Sequence, residues 1–354
     1  MSRWFPDMHV CLVSWIAAPV SWLLLQSAMA GPLGMVADNA ARQLSIFNAD
    51  LDIVTASIAA QPGMALGDCA VSGDERLGIT TSSGGAVSFI DLRNADSHGD
   101  VPISNLGVDM ALSPDDRYVV LAGGGALQQP LSVVDLQQRA EVHSERLFAD
   151  HTSVEFCDNG TLLVTTTQGR FFDWNPDNAL YSAAIDEAGD IDLTGARLSS
   201  GAQPNNASCA PGSLAGVLLD REGGLTSFTL PELDPVQTVR FGESMPVAAT
   251  FSRDGRRLFV RTQNSIQTFH FNAATGHMLP AWSRNVQETR TFYGMDQIAM
   301  HPDGKKLYVD GGKSMLILDP ASGRRAGEIT FGDASGICFA RRAGPLIANP
   351  VVMD

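Results

Sequence analysis

The groups in this 354-residue chain that could do chemistry are its cysteines, its histidines and a set of acidic residues beside apolar runs. Cys11 lies in an apolar leader, which leaves Cys69, Cys157, Cys209 and Cys338, an even number in a chain read as exported. Two readings are open to them: paired thiols, or small core residues. His143 and His151 flank one passage, His270 ends a strand, His277 lies in the next turn, and His301 sits in a further turn. No pair of histidines has metal-ligand spacing with cysteine or carboxylate support, so neither a metal nor a cofactor is expected. A Cys-x-x-Cys-His haem attachment and a Gly-x-Ser-x-Gly nucleophile elbow are both missing. The run Ala122-Gly-Gly-Gly-Ala126 is no phosphate loop, because neither Lys nor a helix follows it; it reads as a bulged hairpin.

What must position these groups is a repeat. In Gln297-Ile-Ala-Met-His-Pro-Asp-Gly-Lys-Lys-Leu-Tyr-Val309 a strand, a Pro-Asp-Gly turn and a second strand follow one another. Pro302 presets φ, and Gly304 takes a conformation other residues resist. Ser314–Asp319 supplies a third strand and Gly327–Phe331 a fourth, together one propeller blade. Positions equivalent to Met300 are Val71, Leu112, Phe156, Cys209, Phe251 and Phe339, 39 to 53 residues apart. Third strands also number seven, from Gln43–Asn48 and Val87–Asp91 to Gly169–Asp173 and Met315–Asp319. The two sets are offset. The expected fold is therefore all-β: a seven-bladed propeller of four-stranded antiparallel blades, closed by pairing N-terminal with C-terminal strands. Residues 35–60 should pair with 335–349, where Pro345–Ala348 is the last second strand. The fourth blade is the least regular, and its acidic stretch Asp186–Asp192 reads as an extended, solvated hairpin.

Placed on this repeat, the cysteines fall on first strands. Side chains alternate along a strand, so Cys338 and Cys157 share one parity and Cys69 and Cys209 the other. Adjacent blades meet through opposite parities, which makes Cys69–Cys338 and Cys157–Cys209 the candidate inter-blade disulfides; unpaired packing remains the alternative. The mouth of the central channel, where first strands begin, should collect Asp68, Asp109, Asn206 and Gln297, with Glu155 and Asp296 adjacent. Such a ring could take a cation, an amine or a basic segment, or stand as a water-filled mouth. The doublets Arg256-Arg257, Lys305-Lys306 and Arg341-Arg342 each follow a turn and could dock an acidic partner, or serve solubility.

The units Phe251-Ser-Arg-Asp-Gly-Arg-Arg-Leu-Phe-Val260 and Met300–Val309 resemble the YVTN-type repeat of bacterial seven-bladed propellers. That resemblance covers nearly all of the chain after the leader, more weakly in the fourth and fifth blades. Related propellers include the haem domain of nitrite reductase, amine-dehydrogenase large subunits and sugar lactonases, so the resemblance implies architecture without naming an activity.

Composition narrows the class further. Hydrophobic residues make up 44% and charged residues 18%, with 34 Gly and 18 Pro, which suits a turn-rich β protein with a large core. A formal net charge of −15 argues against nucleic acid or an anionic membrane as main partner. Arg3, the apolar run Val10–Leu25 and Ala28-Met-Ala30 form an export signal spanning 1–30, with an uncleaved anchor as the alternative. The remaining 31–354 is expected to be one domain, monomeric, periplasmic or secreted, with no membrane span. A binding role toward another exported protein is expected, without catalysis of its own. The alternative is a lactonase-like hydrolase or the propeller subunit of a periplasmic dehydrogenase.

Overall fold

The computed structural model describes residues 31–60, 66–123, 130–146, 151–167, 178–200, 203–242, 244–286, 297–331 and 334–340. The expected leader, Asp296, Arg341, Arg342, Gly169–Asp173, Pro345–Ala348 and most of the 122–126 run lie outside them. Among the described residues there is no helix long and apolar enough to cross a membrane.

Seven antiparallel sheets stand around one axis. Their inner strands are, by blade, Ala334–Phe339 (blade 1), Leu66–Val71 (blade 2), Asp109–Leu112 (blade 3), His151–Phe156 (blade 4), Pro204–Cys209 (blade 5), Pro246–Phe251 (blade 6) and Ile298–Met300 (blade 7). Blade faces pack on each other, so both faces of a middle strand are buried. Tyr118–Ala122 and Ala215–Asp220 are buried at every position, and their apolar runs follow from that. Outermost strands are polar and exposed, as in Asp96–Pro102. In blades 1, 2, 3, 5, 6 and 7 the third and fourth strands slip register once, a bulge that adds twist where the sheet meets solvent.

Among the described residues, the turns after the inner strands are closed by hydrogen bonds. In blades 2, 3 and 6 a serine hydroxyl (Ser72, Ser113, Ser252) donates to the aspartate two residues on, at 2.7, 2.6 and 2.6 Å. The same oxygen accepts an N–H from the returning strand, that of Leu77, Tyr118 or Arg257. Gly255 and Gly304 take φ of 66° and 77° there, while Glu75 and Asp116 occupy the same region without being glycine. Blade 7 has His301 in the serine slot, its Nδ1 2.6 Å from Asp303 Oδ1.

The ring closes through blade 1, whose order is Ala334–Phe339, Leu33–Asp38, Gln43–Asn48, Ile53–Ala59. Three strands thus come from the N-terminal end and one from the C-terminal end. This corrects the expected two-and-two division. The second strand is Leu33–Asp38, wholly buried and joined to Gln43 by a tight turn, in place of Pro345–Ala348. Blade 4 brings a second correction: its third strand is Ala179–Ile185, paired with Leu162–Thr167. Leu180 of that segment packs toward blade 5, while Tyr181 and Ala183 pack toward blade 3. Its fourth position is divided between Ile191–Asp192, after a turn at 186–190, and Arg197–Ser199.

Candidate functional site

Both cysteine pairs are joined, with Cα–Cα separations of 5.9 Å for Cys69–Cys338 and 5.4 Å for Cys157–Cys209. The first ties the C-terminal strand of blade 1 to blade 2, and the second ties blade 4 to blade 5. Two disulfides fit an oxidising surrounding better than the cytosol.

An axial cavity of about 260 Å³ is walled by all seven inner strands. Its wall is largely of small side chains, among them Ala70, Ala111, Ser208, Thr250 and Ala299, with the half-buried carboxylate of Glu155 among them. Asp109 and Asn206 also line it, whereas Asp68 and Gln297 do not. All four of these strand-start residues are buried.

The acidic strand starts serve the ring. Asp68 Oδ2 accepts the N–H of Met110 in the next blade at 3.3 Å, and Asp109 Oδ2 accepts that of Val154 in the blade after at 2.9 Å. The same relay runs on with other residue types. Asn39 binds both N–H and C=O of Leu66, Thr167 Oγ1 donates to Pro204 O, and Asn205 Nδ2 donates to Pro246 O. Arg261, fully buried, donates from Nε to Asp310 O in blade 7; burial lowers its pKa to about 10, and the Asp310 charge works against that fall. Blades 1 to 6 each reach forward in this way to fix the next, and Asp68 and Asp109 spend their Oδ2 atoms on backbone N–H groups of the neighbouring blade. Sequence reading missed Asn39, Thr167, Asn205 and Arg261 because their partners lie on another blade.

The basic doublets divide in the same way. Arg257 Nη1 donates to Pro320 O of the next blade at 3.0 Å, and Lys306 Nζ reaches Ala49 O at 2.8 Å and Asp52 Oδ2 at 2.7 Å. Arg117 Nη2 makes the equivalent bond to Glu187 O. The first members, Arg256 and Lys305, stay exposed, Lys305 against Asp303 at 3.1 Å. Tyr308 completes the seam: its hydroxyl lies 2.8 Å from Ala49 O and 2.7 Å from Asp52 Oδ1. Burial, and then the Asp52 charge, push that phenol above its ordinary range.

At the opposite mouth stand Asp116, Asp158 and Arg253. Asp116 accepts the Gly73 N–H and Asp158 the Gly212 N–H, both 2.8 Å, again across blades. Burial raises the pKa of Asp116, with Asp74 and Asp115 adding repulsion. Here ring closure also brings together Asp50, His301 and Asp303, a histidine with carboxylates at both ring nitrogens. Its spacing in sequence gave no signal, since Asp50 arrives from the other end of the chain.

No protein-family model matches the chain, and no curated protein does. Solved structures match most of it. A functionally unknown protein from Desulfotomaculum acetoxidans is 18% identical, covering 88% of this chain and 99% of its own, with a TM-score of 0.78. A putative 6-phosphogluconolactonase from Bacteroides uniformis is 13% identical, over 87% and 99%, at 0.66. The dihydro-heme d1 dehydrogenase NirN is 15% identical, over 86% and 74%, at 0.59. At such identities the likeness shows the fold, and the chain is a seven-bladed β-propeller.

Proposed function

We propose that this is an exported binding propeller, built on a YVTN-type repeat, whose axial channel takes a single basic side chain or small amine from another exported protein. The observation that carries the reading is the wall of small side chains around Glu155, in a cavity below the usual size for drug-like ligands. A carboxylate set in a narrow, partly desolvated channel holds an ammonium far better than the same carboxylate in open water. The overall charge of −15 draws cationic segments toward the protein. Titration calorimetry with lysine-containing peptides and small primary amines tests this. Glu155→Gln should weaken binding roughly tenfold or more. Equal binding by the two proteins would overturn the reading.

The likeness to a putative 6-phosphogluconolactonase favours a second reading, a lactonase-like hydrolase. Lactone turnover that falls in Asp109→Ala, rather than amine binding, would establish it. The likeness to NirN points to a third, a subunit that co-purifies with a cofactor-bearing chain.

A further inference from the structure

In blades 2, 3 and 6 the serine at the turn donates to the aspartate two residues on. His301 holds that slot in blade 7, and its Nδ1 lies 2.6 Å from Asp303 Oδ1, the same length as its serine counterparts. The Asp303 backbone N–H points at the same Nδ1 from 3.0 Å. Unlike a serine hydroxyl, one ring nitrogen cannot both donate and accept; the 2.6 Å approach to the carboxylate oxygen is the shorter contact and claims the proton, so Nδ1–H donates to Asp303 Oδ1. Asp303 also accepts the Lys305 N–H at 2.8 Å and faces Lys305 Nζ at 3.1 Å, which keeps it in the acceptor role.

In the neutral imidazole, Nδ1–H leaves Nε2 with a lone pair. That nitrogen is buried, makes no hydrogen bond, and points across the seam at Asp50 Oδ1, 3.5 Å away. A lone pair and a carboxylate facing each other repel unless a cation lies between them. The separation is long for a hydrogen bond. It matches two ligands of one tetrahedral ion, which stand about 3.4 Å apart when each is about 2.1 Å from the metal. The carboxylate–histidine–metal order, with Asp303 on the far nitrogen, is how proteins orient a ligating imidazole. Asp50 is half exposed, which gives an ion a way in. Lys306 and Tyr308 lie at the same seam, but they bond to Asp52 and to the backbone carbonyls of Ala49 and Asp50.

We infer that His301 Nε2 and the Asp50 carboxylate form a divalent transition-metal site, of zinc type, that clips blade 7 to blade 1 where the ring closes. Water would complete the coordination, and Asp303 is the orienting partner.

The test uses chelator-treated, disulfide-intact protein titrated with zinc by calorimetry, with thermal unfolding as second readout. Wild type should bind zinc saturably and melt higher with it. His301→Ser restores the residue used in three other blades, so the turn keeps its hydrogen bond while Nε2 is gone. That variant should fold normally yet bind zinc at least tenfold more weakly. Asp50→Asn should lose affinity to the same degree. Zinc binding that survives either substitution, or is missing from wild type, overturns the proposal. So does a stability that depends on His301 and pH but not on zinc, because a proton would then be the bridging cation.

Discussion

The two disulfides join neighbouring blades in the same manner but hold different kinds of structure. Cys157–Cys209 spans 52 residues and staples repeats that follow one another in the chain. Cys69–Cys338 spans 269 residues and fixes the C-terminal strand into a blade otherwise made by the N-terminus. Around the first, contacts are mostly between consecutive repeats. Around the second, the devices are long-range: the pairing of Leu33–Asp38 with Ala334–Phe339, the hold of Lys306 and Tyr308 on Ala49–Asp52, and His301 facing Asp50. In a closed ring of repeats the entropic cost of closure is concentrated in one place, and this chain gathers its longest-range bonds there.

The widest test removes each disulfide in turn. The chain-entropy relation gives about 5.6 kcal/mol for the 269-residue span and about 4.1 kcal/mol for the 52-residue span. Cys69→Ser with Cys338→Ser should therefore cost more than Cys157→Ser with Cys209→Ser in guanidinium unfolding. It should also speed amide exchange in Leu33–Asp38, which the other pair leaves slow. Equal losses with unchanged exchange would remove the distinction between seam and staple.

A smaller effect separates two tyrosines. The Tyr308 hydroxyl binds a carboxylate and a carbonyl across the seam, while the Tyr118 hydroxyl donates to the Glu187 carbonyl. Tyr308→Phe should cost about 2 kcal/mol and Tyr118→Phe about 1 kcal/mol, read from urea midpoints.

The smallest concerns Asp116, between blades 2 and 3. Its carboxyl titrates above the ordinary 3.8, chiefly because burial disfavours the charge. Its favourable share of stability is thus present below the unfolded value and lost as pH rises through the folded one. Asp116→Asn still accepts the Gly73 N–H, so it should match wild type near pH 3 and exceed it at pH 7. Solvent screening keeps the gain under about 1 kcal/mol. A gain at pH 3 instead would assign the effect to packing.

Much of this was legible because turns write themselves locally. Ser-x-Asp-Gly patterns, apolar strand pairs and cysteine parity depend on residues a few positions apart, and they yielded seven blades and both disulfides. What escaped needed a partner on another blade. Asp68 and Asp109 were visible as acids at strand starts, but nothing in their own repeat shows the Met110 and Val154 amides that they bind. Arg257 and Lys306 read as surface charge for the same reason. Leu33–Asp38 was passed over because its inner neighbour, Ala334–Phe339, lies at the far end of the sequence. His301 was recognisable as a turn residue by comparison with serine, while its second nitrogen had meaning only once Asp50 was beside it.

The three-plus-one make-up of blade 1 also sets an order of events during synthesis. Leu33–Asp38 leaves the ribosome about 300 residues before its inner partner Ala334–Phe339. At about 5–20 residues per second, roughly 15–60 s pass with the unpaired edge of an apolar strand available to any other chain. Whatever receives this protein as it emerges must keep that edge covered until Ala334–Phe339 arrives to claim it.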